Sequence, residues 1–232
     1  MRSLITWRAR RARTRSEPTP MRLVLTPEML LQAYRLGVFP MAEDRDAEAL
    51  FWCDPVMRGI LPLDGLRLSR SLRRRLRAEP FRLSLNADFA GVIAGCAARP
   101  STWINAEITA LFTALHAQGH AHSIEVWEGE ALVGGLYGLA LGGVFCGESM
   151  FSTRTDASKI ALATLITHLR ACGFTLFDTQ YLTDHLASLG GVEIPRATYR
   201  ARLADAIGRD ADIHRHELPT GQDVVQLNTQ RS

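Results

Sequence analysis

The stretch between Glu130 and Glu148 is uncharged for seventeen residues, 131–147, and six of those residues are glycine. A run of that length barely reaches across a hydrocarbon layer of about 30 Å as a helix. Glycine at this density is also a poor helix former. The alternative is a set of strands whose backbones pass close to one another or to a ligand, joined by tight turns. We therefore read Ser123–Trp127, Leu132–Tyr137 and Leu139–Phe145 as consecutive strands of an antiparallel meander, with Glu128–Glu130 as the first turn, and reject a membrane span.

Helical periodicity flanks this core. Thr26 is placed to cap a helix that has Pro27 at its first position and Gly37 just past its end. Leu68, Leu72 and Leu76 recur at i, i+4 and i+8, so Ser69–Arg77 reads as an amphipathic helix with arginines on its other faces. Asp88–Ala97, Ala106–Gln118 and Tyr199–Ile207 read as further helices. Asp156 is expected to cap the clearest helix, Ala157–Cys172, which stops at Gly173. Phe51–Pro55, Arg58–Pro62, Phe81–Leu85 and Phe174–Gln180 read as short extended segments. The order predicts an α+β chain. Its expected organisation is a basic extension at 1–20, disordered or non-native and resembling a transit peptide in composition, a small N-terminal α/β domain at 21–65, a larger domain at 66–210 and a polar tail at 211–232.

Of 27 cationic residues only Lys159 is lysine, and the net charge is +3. Residues 1–20 hold six arginines and one glutamate, so without them the charge is −2. Codon usage explains the excess of arginine over lysine as readily as nucleic acid does. The distribution is more informative: Arg67, Arg70, Arg73, Arg74, Arg75 and Arg77 form a local basic stripe suited to phosphate. The four cysteines, Cys53, Cys96, Cys146 and Cys172, have neither CxxC pairing nor metal-ligand spacing, which fits a reducing cytoplasm. No secretory apolar region follows the N-terminal arginines.

Two segments place polar groups inside apolar sequence, Phe145–Phe151 with Glu148 and Phe177–Gln180 with Asp178. A carboxylate in such surroundings is costly to bury unless it is paired or hydrogen-bonded. Each could be a functional group or could simply accept bonds at a turn; spacing alone leaves both open. Strand alternation puts Asp178 and Gln180 on one face. His120 and His122 lack a third ligand at metal spacing and read as a solvated entry to a strand. Ser149 lacks the second glycine of a nucleophile elbow, and no phosphate-binding glycine loop occurs.

Eight ordered blocks now carry a resemblance: Tyr34–Pro40 (YRLGVFP), Ser69–Leu72 (SRSL), Thr102–Ile104 (TWI), Gly119–Trp127 (GHAHSIEVW), Phe145–Phe151 (FCGESMF), Ala157–Lys159 (ASK), Phe177–Gln180 (FDTQ) and His185–Gly190 (HLASLG). From about Met21 to about Ala206 the chain closely resembles the leucyl/phenylalanyl-tRNA–protein transferases of bacteria. The resemblance implies transfer of Leu or Phe, and less readily Met, from aminoacyl-tRNA to the α-amino group of proteins that begin with Arg or Lys, marking them for N-degron proteolysis. It implies a monomeric cytoplasmic enzyme without metal or other cofactor, whose C-terminal domain is similar to the N-acetyltransferase (GNAT) fold.

Matched position by position, the resemblance makes Asp178, Gln180 and Glu148 the catalytic residues, with Gln180 holding the attacking amine or the ester carbonyl and Asp178 polarising Gln180. Leu136, Phe145, Met150, Leu162 and Leu169 would line the amino-acid pocket, and Trp52 and Trp103 would lie near the terminal adenosine. Arg70, Arg73, Arg74, Arg75 and Arg77 would meet the tRNA. The chain departs from familiar members in having Leu169 for Phe, Leu136 for Met and Thr179 for Cys, and in a shorter lead-in to the first helix. Two other readings compete. An acyl-CoA acyltransferase would need an R/Q-x-x-G-x-G/A loop before Asp156, which is missing; an RNA-binding module would leave Asp178, Gln180 and Glu148 unexplained.

Overall fold

The computed structural model describes residues 25–47 and 49–229. The expected extension at 1–20 lies outside them. The elements in chain order are α1 (Pro27–Arg35), β1 (Phe39–Ala42), β2 (Leu50–Cys53), β3 (Met57–Ile60), α2 (Arg70–Ala78), β4 (Arg82–Leu85), α3 (Phe89–Ala97), α4 (Ala106–Ala117), β5 (Ala121–Glu128), β6 (Ala131–Leu141), β7 (Val144–Ser152), α5 (Ala157–Ala171), β8 (Leu176–Gln180), α6 (Asp184–Ser188), β9 (Val192–Pro195), α7 (Arg196–Ile207) and α8 (Gly221–Thr229). β1 and β2 form a two-stranded ribbon, and the other strands form one sheet in the order β4-β5-β6-β7-β8-β3-β9. Every pairing in that sheet is antiparallel except β7 with β8.

Helices cover both faces of the sheet. On one, α5 packs on β5, β6 and β7 with α2 and α8 beside it; on the other, α3 and α4 pack on β5 and α1 on α4. Each face has its own apolar core, one around Leu72, Leu136, Phe145 and Leu165, the other around Leu30, Tyr34, Phe112 and Tyr137. Burial of such side chains contributes about 1.5–3 kcal/mol each. The N-termini of α1 and α2 are capped by the hydroxyl side chains that precede them. Thr26 accepts a bond from the Met29 N–H at 3.3 Å, and Ser69 caps α2 through the Leu72 N–H at 3.2 Å.

Five expectations need correction. The meander has one strand where two were expected: β6 runs unbroken through Gly138 and turns only at Gly142. Glycine at 138 marks a close approach, because a Cβ there would overlap the Cys146 carbonyl oxygen and the Phe145 ring. Asp156 precedes α5 with a φ of 63° and makes no capping bond; its carboxylate instead accepts from Lys159 at 3.0 Å. The segment after residue 210 is not a polar tail, since α8 packs on α2 and α5, and Ile213, Val224 and Val225 are core residues. β3, assigned to the N-terminal unit, lies inside the large sheet between β8 and β9. His122 is buried and bonded to Asn86 at 2.9 Å, so only His120 matches a solvated strand entry.

Candidate active site

β7 and β8 run parallel for three residue pairs, Val144–Leu176, Phe145–Phe177 and Cys146–Asp178, and then part. β7 continues to Ser152 on its other partner, β6. β8 instead reaches Gln180, whose φ of 57° is left-handed. That conformation is uncommon for a side chain other than glycine, asparagine or aspartate and directs Gln180 out of strict alternation. The gap between the parted strands opens into a cavity of about 450 Å³.

A β-bulge aims the first polar group into this cavity. Tyr137 pairs with Ser149 and Gly138 with Gly147, so Glu148 has no opposite residue and its side chain turns out of the ladder. Its carboxylate accepts from the Tyr34 hydroxyl at 2.7 Å and from the Gln180 side-chain amide at 3.2 Å. Among the described residues no cation lies within ion-pair distance of it. Burial pushes the Glu148 carboxyl up to about 8; the Tyr34 bond and Arg58 draw it down, while the Asp178 charge raises it further.

Asp178 is fully buried and its oxygens are taken. Arg58 binds it through Nε at 2.8 Å and Nη2 at 2.6 Å, Tyr199 donates at 2.9 Å, and the backbone N–H of Gln180 donates at 2.9 Å. Arg58 itself is 1% exposed, lies 4.5 Å from the Phe39 ring centre and 4.4 Å from that of Tyr199, and reaches the Gly37 carbonyl at 3.1 Å. Burial works against the guanidinium charge, but the bonds and charge of Asp178 more than offset this and hold Arg58 protonated. The link from Asp178 to Gln180 therefore runs through the backbone N–H that fixes the left-handed turn. The two side chains do not work side by side as alternation suggested.

The other expected residues divide. Leu136, Met150 and Leu162 line the cavity together with Trp103. Phe145 and Leu169 do not: both are 0% exposed and lie behind the wall, where Phe145 stacks on Phe177 at 5.6 Å, and it is Phe177 that faces the cavity. Trp52 also lies outside, 47% exposed on β2, while Met41 of the neighbouring strand reaches the rim. Arg70, Arg74 and Arg77 are exposed on α2 with Arg73 and Arg75 half-buried beside them, away from the cavity wall, and none has a carboxylate partner among the described residues. The sequence reading missed Tyr34, Arg58, Tyr199 and Phe177. Arg58, a lone charge in Val56-Met57-Arg58-Gly59-Ile60, carried the same signal that singled out Glu148.

The sequence also matches a known family along most of its length. The family described as leucyl/phenylalanyl-tRNA protein transferase matches residues 60–204, and its N-terminal domain matches residues 24–56. A leucyl/phenylalanyl-tRNA–protein transferase of Ruegeria sp. (strain TM1040) is 57% identical over 210 residues, covering 90% of this chain and 100% of that protein. One of Cereibacter sphaeroides is 58% identical over 209 residues, covering 90% and 98%. Among solved structures, that of L-PGS from Bacillus licheniformis aligns at 12% identity with a TM-score of 0.41, covering 74% of this chain and 67% of that one. The chain belongs to the leucyl/phenylalanyl-tRNA–protein transferase family.

Proposed function

We propose that the cavity between β7 and β8 transfers leucine or phenylalanine from aminoacyl-tRNA to the N-terminal α-amino group of a protein, with Arg or Lys as the accepting residue, Met as a weaker donor and entry into N-degron proteolysis as the outcome. The observation that carries this is the Glu148–Gln180 pair, a carboxylate bonded to an amide with no cation within ion-pair distance among the described residues, beside the apolar side chains of Leu136, Met150, Leu162 and Phe177. Apolar donor side chains suit that wall, and one methylene separates substrates there by about 1–3 kcal/mol. Trp103 offers a stacking surface for the terminal adenosine, worth about 1–3 kcal/mol per base.

An aminoacyl ester is already activated, so its aminolysis needs no nucleotide. The acceptor amine attacks the ester carbonyl, a C–N bond forms, and the ester C–O bond breaks to leave the ribose hydroxyl. The ammonium loses one proton before attack and the nitrogen loses a second as the amide forms; that second proton is taken up by the departing ribose oxygen. An α-amine titrates at about 7.7–8.0, and Glu148 is held near 8, so a proton passes between them at little cost. Glu148 binds and deprotonates the amine. The Gln180 amide moves from Glu148 to the carbonyl oxygen as charge develops there. Asp178, with its oxygens engaged, positions Gln180 through its backbone N–H.

The parallel β7–β8 pair that parts inside a mostly antiparallel sheet supports a GNAT-like reading of the fold. No helix among the described residues is long and apolar enough to cross a membrane. The test is transfer of labelled leucine from Leu-tRNA to an Arg-initiated protein. No label transfer, with acetyl transfer from acetyl-CoA instead, would replace this reading by an acyl-CoA enzyme; tRNA binding alone would replace it by an RNA-binding module.

A further inference from the structure

A donor whose ester meets Glu148 and Gln180 and whose adenine stacks on Trp103 has a third connection, the phosphate on its 5′ carbon. A phosphodiester is a full charge, and resting it on an apolar wall without a cation or donors is costly. Among the described residues that line the cavity, Arg99 is the only arginine or lysine. It stands in the link that follows α3, four residues before Trp103. Its Nη2 donates to the Met150 carbonyl, which holds the side chain against the cavity wall. No carboxylate lies within ion-pair distance of it among the described residues.

Arg99 also belongs to a second concavity, of about 370 Å³, whose polar lining is Arg99, His185, Ser152, Thr153 and Ser158 and which no Asp or Glu lines. Arg99, Met150 and His185 line both spaces, so the groove and the cavity share a wall. Ser152 and Thr153 already donate to the Arg154 and Val133 carbonyls at 2.6 and 3.0 Å, which leaves Arg99, Ser158 and His185 as the donors for a ligand. The flanking carboxylates are engaged, Asp156 by Lys159 at 3.0 Å and Glu128 by Arg154 at 2.8 Å. Burial and then the charge of Lys159 lower the His185 imidazole, which is a neutral N–H donor near pH 7. Charge decides which substrate this fits. A guanidinium repels the ammonium and basic side chain of the acceptor, whereas beside hydroxyl and imidazole donors it matches phosphate oxygens. The groove also adjoins α2: Ser158 lines it, and Ile160 lines a different concavity together with Leu76 of α2. Residues two apart on a helix lie on nearly opposite sides, so the first turn of α5 stands between the groove and α2, a width of about 10–12 Å.

We propose that this groove, through Arg99, Ser158 and His185, binds the phosphate that joins the terminal adenosine of the donor to the nucleotide before it, and that the unpaired 3′ strand passes from there over the first turn of α5 toward the arginines of α2. The inference rests on the transferase reading above and supplies the donor strand with a path between the basic helix and the cavity.

The experiment compares two minimal donors, leucyl-adenosine and leucyl-adenosine 5′-phosphate, with one Arg-initiated peptide as acceptor, and reads the ratio of their kcat/KM values. In the unaltered protein the phosphate is expected to raise kcat/KM roughly 10- to 100-fold, the worth of a charge-assisted bond. Arg99→Gln should bring the ratio to within about threefold of one, and should make the log–log salt dependence of Leu-tRNA binding less steep by about 0.7. Ser158→Asp puts a carboxylate into the groove at a helix position that favours one, and should collapse the ratio as well; thermal melts establish that both variants fold. A ratio near one in the unaltered protein overturns the groove alone, and so does a parental ratio in Arg99→Gln, where a fall shared by both donors would mark Arg99 as part of the wall only. No transfer from either minimal donor or from Leu-tRNA overturns the transferase reading, and the groove with it.

Discussion

Replacing Glu148 by glutamine removes one charge and keeps the shape of the side chain and an oxygen for Tyr34 and Gln180. Below pH 4.5 the carboxyl is protonated in folded and unfolded chains alike, so the two proteins should be equally stable. Above 4.5 the unfolded chain releases this proton while the folded one retains it up to about 8. The unaltered protein therefore loses stability as pH rises through that interval, and the loss is complete above about 8. At about 1.36 kcal/mol per pH unit the interval corresponds to at most about 4–5 kcal/mol. The glutamine variant lacks this slope. It should be more stable than the parent at pH 8.5 by up to that amount, a Tm higher by roughly 10–15 °C for a chain of this size, with the difference fading toward pH 4.5. Urea unfolding at pH 5, 6, 7 and 8.5 measures it, and turnover with Leu-tRNA should fall about 10²–10³-fold in the same variant. Parallel stability curves for the two proteins across this range would refute the argument that desolvation, with no cation at ion-pair distance among the described residues, raises the Glu148 carboxyl.

Arg58→Met should lower stability by about 3–5 kcal/mol, because Asp178 is then a buried charge without its partner; Arg58→Lys should restore little of the turnover, since an ammonium cannot reproduce the two-point contact. Both variants should lose kcat with little change in the KM for tRNA, and a loss confined to tRNA binding would contradict the positioning role. Reversing Arg73, Arg74 and Arg75 to Glu should weaken tRNA binding and flatten its salt dependence, each lost phosphate contact removing about 0.7–0.9 from the log–log slope. An unchanged slope would make α2 a solvated face.

What could be read from sequence was local. Thr26, Pro27 and Gly37 bracket α1, the leucine spacing gives α2, and the cost of a carboxylate among aromatic residues singles out Glu148 and Asp178. Readings failed where a partner distant in sequence decides the outcome. Gly138 looks like the end of a strand until Cys146 and Phe145 are known to press against it. Val224 and Val225 look incidental in a polar segment until α2 and α5 supply the surface they cover. Arg58 and Asp178 are 120 residues apart, so their contact is invisible to spacing, as is the detail that Phe177, with Phe145 behind it, forms the wall. The unpaired position of Glu148 depends on a bulge, which no local signal specified.

The insertion of β3 between β8 and β9 bears on how the protein is made. Residues 57–60 leave the ribosome early, yet their sheet partners are residues 178–180 and 192–195. β3 cannot take its place until nearly the whole chain has been synthesised, and closing so long a loop is slow relative to local pairing. Until then Arg58 has no carboxylate and Gln180 has no fixed turn. Catalytic competence is thus acquired at the last step of assembly, and a chain truncated before β9 lacks one of the two neighbours that hold β3, and with it Arg58, in the sheet.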